Sequence, residues 1–323
     1  MWKRTPNTST TRIDLTVRVI VVGLGVQGTK RLAIAGKEAV ATVDPISDKA
    51  DYKSISDVPL DGYDAALVCT PDDAKIELLT YLLNNGKHLL VEKPLLAPDN
   101  NALEVLAETA RLNGVVCYTA YNHRFEPHFV RMKQTIESGQ LGKIYCVRMF
   151  YGNGTARLVR NSPWRDQGFG VLTDLGSHLL DTLLFWFGKP EAPFNIYSNN
   201  RFENQSFDHF SFGANGSPVL QLEATLLNWR NHFYADVLAE NGSAHIQSLC
   251  KWGPSTFTLR HRVLPSGKPD EQEVTLVQSD PTWELEYQHF KRLTATGESN
   301  IENDMWINSV LNELGQRALG ATQ

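Results

Sequence analysis

The chain has 323 residues, 42% of them hydrophobic, and a formal net charge of −5. This length is enough for two domains, each burying its own core, and the acidic balance provides no basic face for nucleic acid. No apolar run approaches the ~20 residues that a membrane-spanning helix needs.

Residues 1–12 are polar and lack an apolar core. They read as part of a flexible tail, over residues 1–14, rather than a secretory signal. The first structured element is a β-branched run over residues 17–22, which ends in Gly23-x-Gly25-x-x-Gly28 and passes at once into a helix-like stretch. Gly23 permits a tight strand-to-helix turn, Gly25 lets backbone approach a pyrophosphate, and Gly28 lets the helix pack close to the strand. Free N–H groups at the helix start then face the anion. Glycine-rich turns are common, so the motif gains weight from the preceding strand, the following helix and an acid downstream.

That acid closes a short buried strand over residues 38–44. Asp44 lies sixteen residues after Gly28, where its carboxylate can accept hydrogen bonds from both adenosine ribose hydroxyls. It would repel a 2′-phosphate, and no arginine follows within the next few residues to neutralise one, which favours NAD over NADP. An ordinary turn aspartate before Pro45 is the plain alternative.

Residues 65–69 then read as a buried strand and 73–85 as an amphipathic helix closed by Asn85-Gly86. Residues 88–91 are the next strand, 99–113 a helix with Gly114 at its end, and 115–118 a further strand. Regular βαβ alternation implies a parallel sheet wrapped by helices on both faces. Ligands of such sheets sit beyond the carboxyl ends of the strands. At those ends stand Thr70-Pro71, Glu92-Lys93-Pro94 and Tyr121-Asn122. An ammonium from Lys93, restrained by Pro94, would stabilise alkoxide charge developing on a reacting C–O group. A solvated Glu-Lys pair before a proline turn is the bland alternative.

Beyond residue 122 the pattern changes. Residues 126–138 look helical, 143–151 look like a strand, and 170–188 are helical again. From about 195 to 277 the chain is mostly β, with strands at 208–212, 219–227, 232–238, 243–248, 256–260 and 273–277 and an Asn241-Gly242 hairpin turn. Helices over 283–296 and 304–319 close the chain. The expected fold is therefore α/β. Residues 1–122 form a doubly wound dinucleotide-binding domain, and residues 123–323 form a second α/β domain with a large, mainly antiparallel sheet.

The helix over 170–188 places Asp174, His178 and Asp181 on one face, since i, i+4 and i+7 lie nearly in line. A histidine titrating near neutrality can take a hydroxyl proton as an alcohol becomes a carbonyl, and return it in reduction. Asp174 could orient that imidazole or bond the substrate. The neighbouring leucines make the rest of the helix apolar. A metal is the first rival, but no third or fourth ligand lies near Asp174 and His178, so no metal is expected. A histidine that merely satisfies a buried hydrogen bond is the second. Cys69, Cys117, Cys146 and Cys250 are far apart and mostly within apolar runs, which suits reduced thiols in the cytoplasm.

Taken together, Gly23-x-Gly25-x-x-Gly28, Cys69-Thr-Pro71, Glu92-Lys-Pro94, Tyr121-Asn-His-Arg-Phe125 and Gly170-x-x-x-Asp174-x-Gly-x-His178 resemble the Gfo/Idh/MocA oxidoreductases over the whole chain. The resemblance implies an N-terminal Rossmann domain and a C-terminal α/β domain whose open sheet often joins subunits, here into a homodimer or homotetramer. It implies NAD or NADP chemistry on a sugar, polyol or related secondary alcohol. Lys93 becomes the catalytic lysine, preceding Pro94 through a cis peptide, with Asp174 and His178 completing a triad. Gly23, Gly25, Val26, Gln27, Gly28, Asp44, Thr70, Pro71, Glu92, Lys93 and Asn122 would border the cofactor, and Trp164-Arg165 would reach across to nicotinamide or substrate. Lys93, Arg124, Tyr151, Asp174 and His178 would meet the substrate. Two features depart from the pattern. Gly168-Phe169-Gly170 replaces a frequent triple glycine, so Phe169 could reshape the pocket. The 151–165 loop carries Arg157, Arg160 and Arg165; a merely solvated loop is the favoured reading, whereas as a pocket wall it would suit an acidic sugar or sugar phosphate. An NAD-dependent glycosidase and a non-catalytic NAD-binding sugar sensor are the alternatives of function.

Overall fold

Strands of almost unbroken apolar burial build the first layer, because a parallel sheet covered on both faces gives no side chain to water. The protein is described from a computed structural model, over residues 16–72 and 75–320. The expected tail over 1–14 and the first two residues of the helix expected at 73–85 lie outside the described residues. β1 (Val19–Val22) leads through the glycine turn into α1 (Val26–Ala35). β2 (Ala39–Val43), β3 (Ala65–Val68), α2 (Lys75–Asn84), β4 (His88–Glu92), α3 (Asn100–Leu112) and β5 (Cys117–Ala120) follow. The five strands run parallel in the order β2-β1-β3-β4-β5, the expected doubly wound arrangement.

The second layer is an eight-stranded sheet. α4 (Pro127–Glu137) precedes β6 (Ile144–Gly152), then α5 (Ala156–Arg160) and α6 (Ser177–Phe187), which a π turn over Leu172–Gly176 leads into. β7 (Phe194–Asn200), β8 (His209–Asn215), β9 (Val219–Thr225), β10 (His232–Ala239), β11 (Gly242–Gln247), β12 (Ser255–His261) and β13 (Asp270–Leu276) complete it in the order β13-β12-β11-β10-β6-β9-β8-β7. Every pair is antiparallel except β6 with β9. β7 was not singled out in the sequence. Only Phe194 is buried in that edge strand, and Asn195, Ser198, Asn199 and Asn200 hide its alternation. One face of the sheet sends Val147, Met149, Phe233, Ala235, Val237 and Leu222 into a core shared with Leu179, Leu180 and Leu183 of α6. The other face carries Tyr145, Arg148 and a Phe150–Tyr234 stack.

α7 (Thr282–Thr296) and α8 (Ile301–Gly320) do not stay with the second sheet. α7 sends Tyr287, Phe290 and Leu293 into the core with Val19, Val21 and Leu67 of the first sheet. α8 begins in the first core through Ile301 and ends in the second through Leu311, Leu314 and Ala318. Within the expected second domain over 123–323, these two helices thus also pack on the first layer. The amphipathic faces of these helices find the uncovered apolar side of the first sheet, so the chain crosses back.

Candidate active site

The glycine turn is shaped by steric exclusion. Gly23 has φ +91°, and a Cβ there would sit 2.7 Å from the Cys69 carbonyl oxygen. A Cβ on Gly28 would lie 1.7 Å from the Gly23 oxygen, whereas one on Gly25 would meet nothing within 4 Å. No side chain caps the start of α1. Open space over free helix N–H groups is what a pyrophosphate needs, so the turn fits a dinucleotide. Val26 and Gln27, exposed in the first turn of α1, stand at the same place.

Asp44 binds the backbone of its own turn and of the glycine turn. Its Oδ1 accepts the backbone N–H groups of Ile46 and Ser47, each at 2.8 Å, as in a turn, and its Oδ2 accepts Leu24 N–H at 2.7 Å. Oδ2 retains a lone pair for a ribose hydroxyl. Partial burial pushes this carboxyl up, but the bonds from Leu24, Ser47 and Ile46 and the nearby Lys53 ammonium hold it below the usual carboxylate range. Thr70, at the end of β3, has a buried Oγ1 with no partner, and Pro71 beside it is exposed.

One oxygen of Glu92, Oε1, accepts Arg31 Nε at 2.7 Å, and Arg31 Nη2 also donates to Glu286 of α7 at 2.6 Å. Glu286 is fully buried and shares Arg31 with Glu92, so burial, eased by Arg31 and reinforced by Glu92, raises it to about 7. Asn122 is similarly committed in part, with Nδ2 donating to Thr282 Oγ1 at 2.7 Å.

Lys93 follows the Glu92 end of β4 and precedes a cis proline. Buried Lys75 clamps the backbone on either side of it, its Nζ donating to the Glu92 and Pro94 carbonyls at 3.1 Å each and to Asp72 at 2.6 Å. The Lys93 ammonium crosses between the layers to donate to Asp174 Oδ1 at 2.9 Å and to the Asp174 carbonyl at 3.0 Å. Asp174 lies in the π turn, where one extra residue per turn re-aims side chains. Burial opposes its charge, but Lys93, Arg165 and Lys251 keep its carboxyl below the ordinary range.

His178 is buried and neutral. Burial, then His123, Lys93 and Lys251, hold its imidazole well below the usual histidine range. Its Nδ1 is buried without a partner. The ring stacks on His123 at 4.1 Å between centroids and 21° between planes, with Tyr151 edge-on at 5.7 Å. The sequence placed Asp174, His178 and Asp181 on one face, with Asp174 free to orient the imidazole or to bond the substrate. The structure parts them. Asp174 holds Lys93, and Asp181 is taken by Arg124, whose Nε and Nη2 lie 2.6–3.0 Å from its oxygens. Arg124, expected at the substrate, forms this ion pair with its guanidinium over the Phe185 ring. Tyr151 does reach the cluster, lying 5.4 Å from the His123 ring.

The loop before the π turn divides. Trp164 is 66% exposed; Arg165 lends its charge to Asp174, while Arg157 pairs with Glu203 at 3.4 Å and Arg160 faces Asp166. Phe169 leans on α8, where a Cβ on Gly315 would meet its ring at 2.5 Å. It packs against the core of the second layer. Among the described residues no group of three His, Cys, Asp or Glu is placed to hold a metal, and no helix is long and apolar enough to cross a membrane.

Four residues at or beneath the site went unread in the sequence: Arg31, Lys75, His123 and Lys251. His123 sits inside the Tyr-Asn-His-Arg-Phe motif, which was the available signal. Nothing local distinguishes Lys75 or Lys251 from surface lysines, because only distant chain segments bury them or bring them to the site.

Residues 17–121 match the oxidoreductase family with NAD-binding Rossmann fold, and residues 129–245 match the GFO/IDH/MocA C-terminal domain. The chain is 33% identical over 129 residues to an uncharacterized oxidoreductase of Schizosaccharomyces pombe, a match spanning 39% of this chain and 34% of that protein. It is 25% identical over 327 residues to scyllo-inositol 2-dehydrogenase (NAD(+)) of Bacillus subtilis, covering 90% of this chain and 89% of the relative. Levoglucosan dehydrogenase, solved with NADH, superposes with a TM-score of 0.78 at 18% identity, covering 94% of this chain and 97% of the other.

Proposed function

The chain belongs to the Gfo/Idh/MocA oxidoreductases and carries their NAD-binding Rossmann domain, and on that premise we propose that it interconverts a secondary alcohol and a ketone on a sugar, polyol or sugar derivative. The observation that carries the reading is the bond between Lys93 on the first sheet and Asp174 on the second, with neutral His178 one turn on. When bound, the dinucleotide would supply or accept the hydride through its nicotinamide. Gly25 and the first N–H groups of α1 would hold its pyrophosphate, and Asp44 a ribose hydroxyl. The Lys93 ammonium polarises the substrate oxygen and stabilises the negative charge that grows on it. In oxidation His178 accepts the hydroxyl proton, through Nε2 because Nδ1 is sealed off; in reduction it returns that proton. Asp174 keeps Lys93 aimed and its own carboxylate within reach of a substrate hydroxyl. The kinship with the scyllo-inositol enzyme of Bacillus subtilis supports a polyhydroxylated ring or chain as substrate.

Lys93→Met removes the charge while keeping the bulk. It is expected to lower kcat by about a thousandfold, with NADH binding changed less than threefold. NADH absorbance with a panel of polyols and sugars, alongside a fluorescence titration of NADH, checks this; wild-type turnover in the variant refutes the assignment. The reading includes a cytoplasmic enzyme, supported by four free cysteines. It also includes a homodimer or homotetramer through the uncovered sheet face, which light scattering of the purified protein tests.

A further inference from the structure

Lys251 stands in the turn Cys250–Trp252 between β11 and β12, in the second layer, whereas Lys93 comes from the first. Its Nζ lies 3.4 Å from the Tyr151 hydroxyl, over the faces of Tyr151 at 5.8 Å and Trp252 at 4.9 Å. Four neighbouring cations have carboxylate partners: Lys93 with Asp174, Lys75 with Asp72, Arg124 with Asp181, and Arg31 with Glu92 and Glu286. Lys251 has none within ion-pair distance among the described residues. Its nearest acids are turned to other work. Glu126 Oε1 accepts Cys250 N–H at 2.9 Å, and Asp280 Oδ1 accepts Thr282 N–H and Oγ1–H at 2.9 and 2.7 Å. The ammonium is nevertheless close enough to act on Asp174 and His178, and the side chain is exposed to solvent.

Two aromatic faces hold this cation in place at little entropic cost. The Tyr151 oxygen receives a proton from Lys251 and keeps its own O–H to give. Together they offer two donors side by side, which matches the two oxygens of one carboxylate. We propose that Lys251 and the Tyr151 hydroxyl form an anion subsite, so that the substrate is a sugar acid or other polyhydroxy monocarboxylate rather than a neutral polyol. Its carboxylate rests on Lys251 while a carbinol of the same molecule meets Lys93 and His178. This rests on the reading of those two residues given above.

The test is binding to the NADH-loaded protein, followed by fluorescence. The ligands are gluconate, galactonate, mannonate and threonate, each compared with the polyol that has CH2OH in place of its carboxylate, together with glucose 6-phosphate. At least one acid is expected to bind tenfold or more tightly than its polyol, as a charge-assisted pair implies. Lys251→Met and Lys251→Gln should bring that ratio to within about threefold of one, and Lys251→Arg should restore part of it. No acid exceeding its polyol in the wild-type protein overturns the subsite, as does a preference that survives both neutral substitutions. Tighter binding of the sugar phosphate than of every acid overturns the carboxylate assignment. Failure of the hydride-transfer reading is visible separately, as an acid preference without NADH formation from any ligand.

Discussion

His178 and His123 form a pair of stacked, buried imidazoles. Both nitrogens of His123 and Nδ1 of His178 lack partners, so protonating either ring means burying a charge with nothing to solvate it. Lys93 and Lys251 add to that penalty, and both imidazoles are held well below the usual histidine range. A base that is already neutral can accept the substrate proton without first losing one. The cost is paid in stability. In the unfolded chain these rings bind protons below about pH 6.5, whereas in the folded chain they do not. Folding stability therefore falls as pH drops through this window, by about 1.4 kcal/mol per unit for each ring. Buried acids with raised values, Glu286 and Asp304, pull the opposite way, so the histidine contribution must be read as a difference. His123→Phe keeps an aromatic stack and removes one such group. Urea unfolding of both proteins between pH 7.5 and 5.5 should show the wild type losing about 1 kcal/mol more than the variant per pH unit below 6.5. Equal losses would mean that His123 is charged or solvated.

At the scale of elements, the strand–turn–helix of β1 and α1 separates folding from binding at neighbouring glycines. Gly28 is required by the fold, since its Cβ would strike the Gly23 oxygen. Gly25 has φ −67° and open space above it, so alanine is tolerated by the free protein but fills the volume where a pyrophosphate would come. Gly28→Ala is expected to cost about 1–3 kcal/mol of stability through displaced backbone. Gly25→Ala should leave the melting temperature within about 2 degrees and weaken NADH binding at least tenfold, since a methyl blocks the close approach that the anion contact needs. Calorimetry with and without NADH checks both; unchanged affinity in Gly25→Ala would place the cofactor elsewhere. The π turn works on the same scale. One inserted residue in Leu172–Gly176 lets Asp174 meet Lys93 while His178 and Asp181 continue on regular helix.

Across the whole molecule, the two sheets are tied by the last two helices more than by the loops at residues 121–126. Arg31 of α1 is 1% exposed and holds Glu92 of the first sheet and Glu286 of α7 together. Removing the cation strands two carboxylates in a dry site. Arg31→Leu should destabilise the protein by about 3–5 kcal/mol, the usual cost of breaking a buried pair on one side. The loss should be larger at pH 8 than at pH 6. Burial already raises Glu286 to about 7, and without Arg31 its folded value rises further above its unfolded one, so stability falls as pH climbs through that gap. Denaturant midpoints at the two pH values measure this, and a pH-independent loss would show that Glu286 ionises freely.

The first layer was legible because each of its determinants is local. Four-residue apolar runs, glycine spacing and an acid at a strand end are readable in order along the chain, and the parallel sheet follows from the βαβ rhythm. The π-turn segment was legible as helix, and Lys93, Asp174 and His178 could be named from residue type and spacing. What those three touch was not readable. A helix wheel pairs Asp174 with His178, but a π turn and a lysine 81 residues away in sequence take Asp174 instead. Glu92 and Arg124 likewise meet partners, Arg31 and Asp181, that lie 61 and 57 residues away. Lys251 and His123 acquire meaning only when the second sheet closes beneath the site. Sequence by itself determined which elements form and which chemical groups the site contains, because propensity and periodicity act over a few residues. Tertiary structure alone decided which charges are neutralised and which remain for a substrate, because burial and ion pairing are set by segments that meet only after folding.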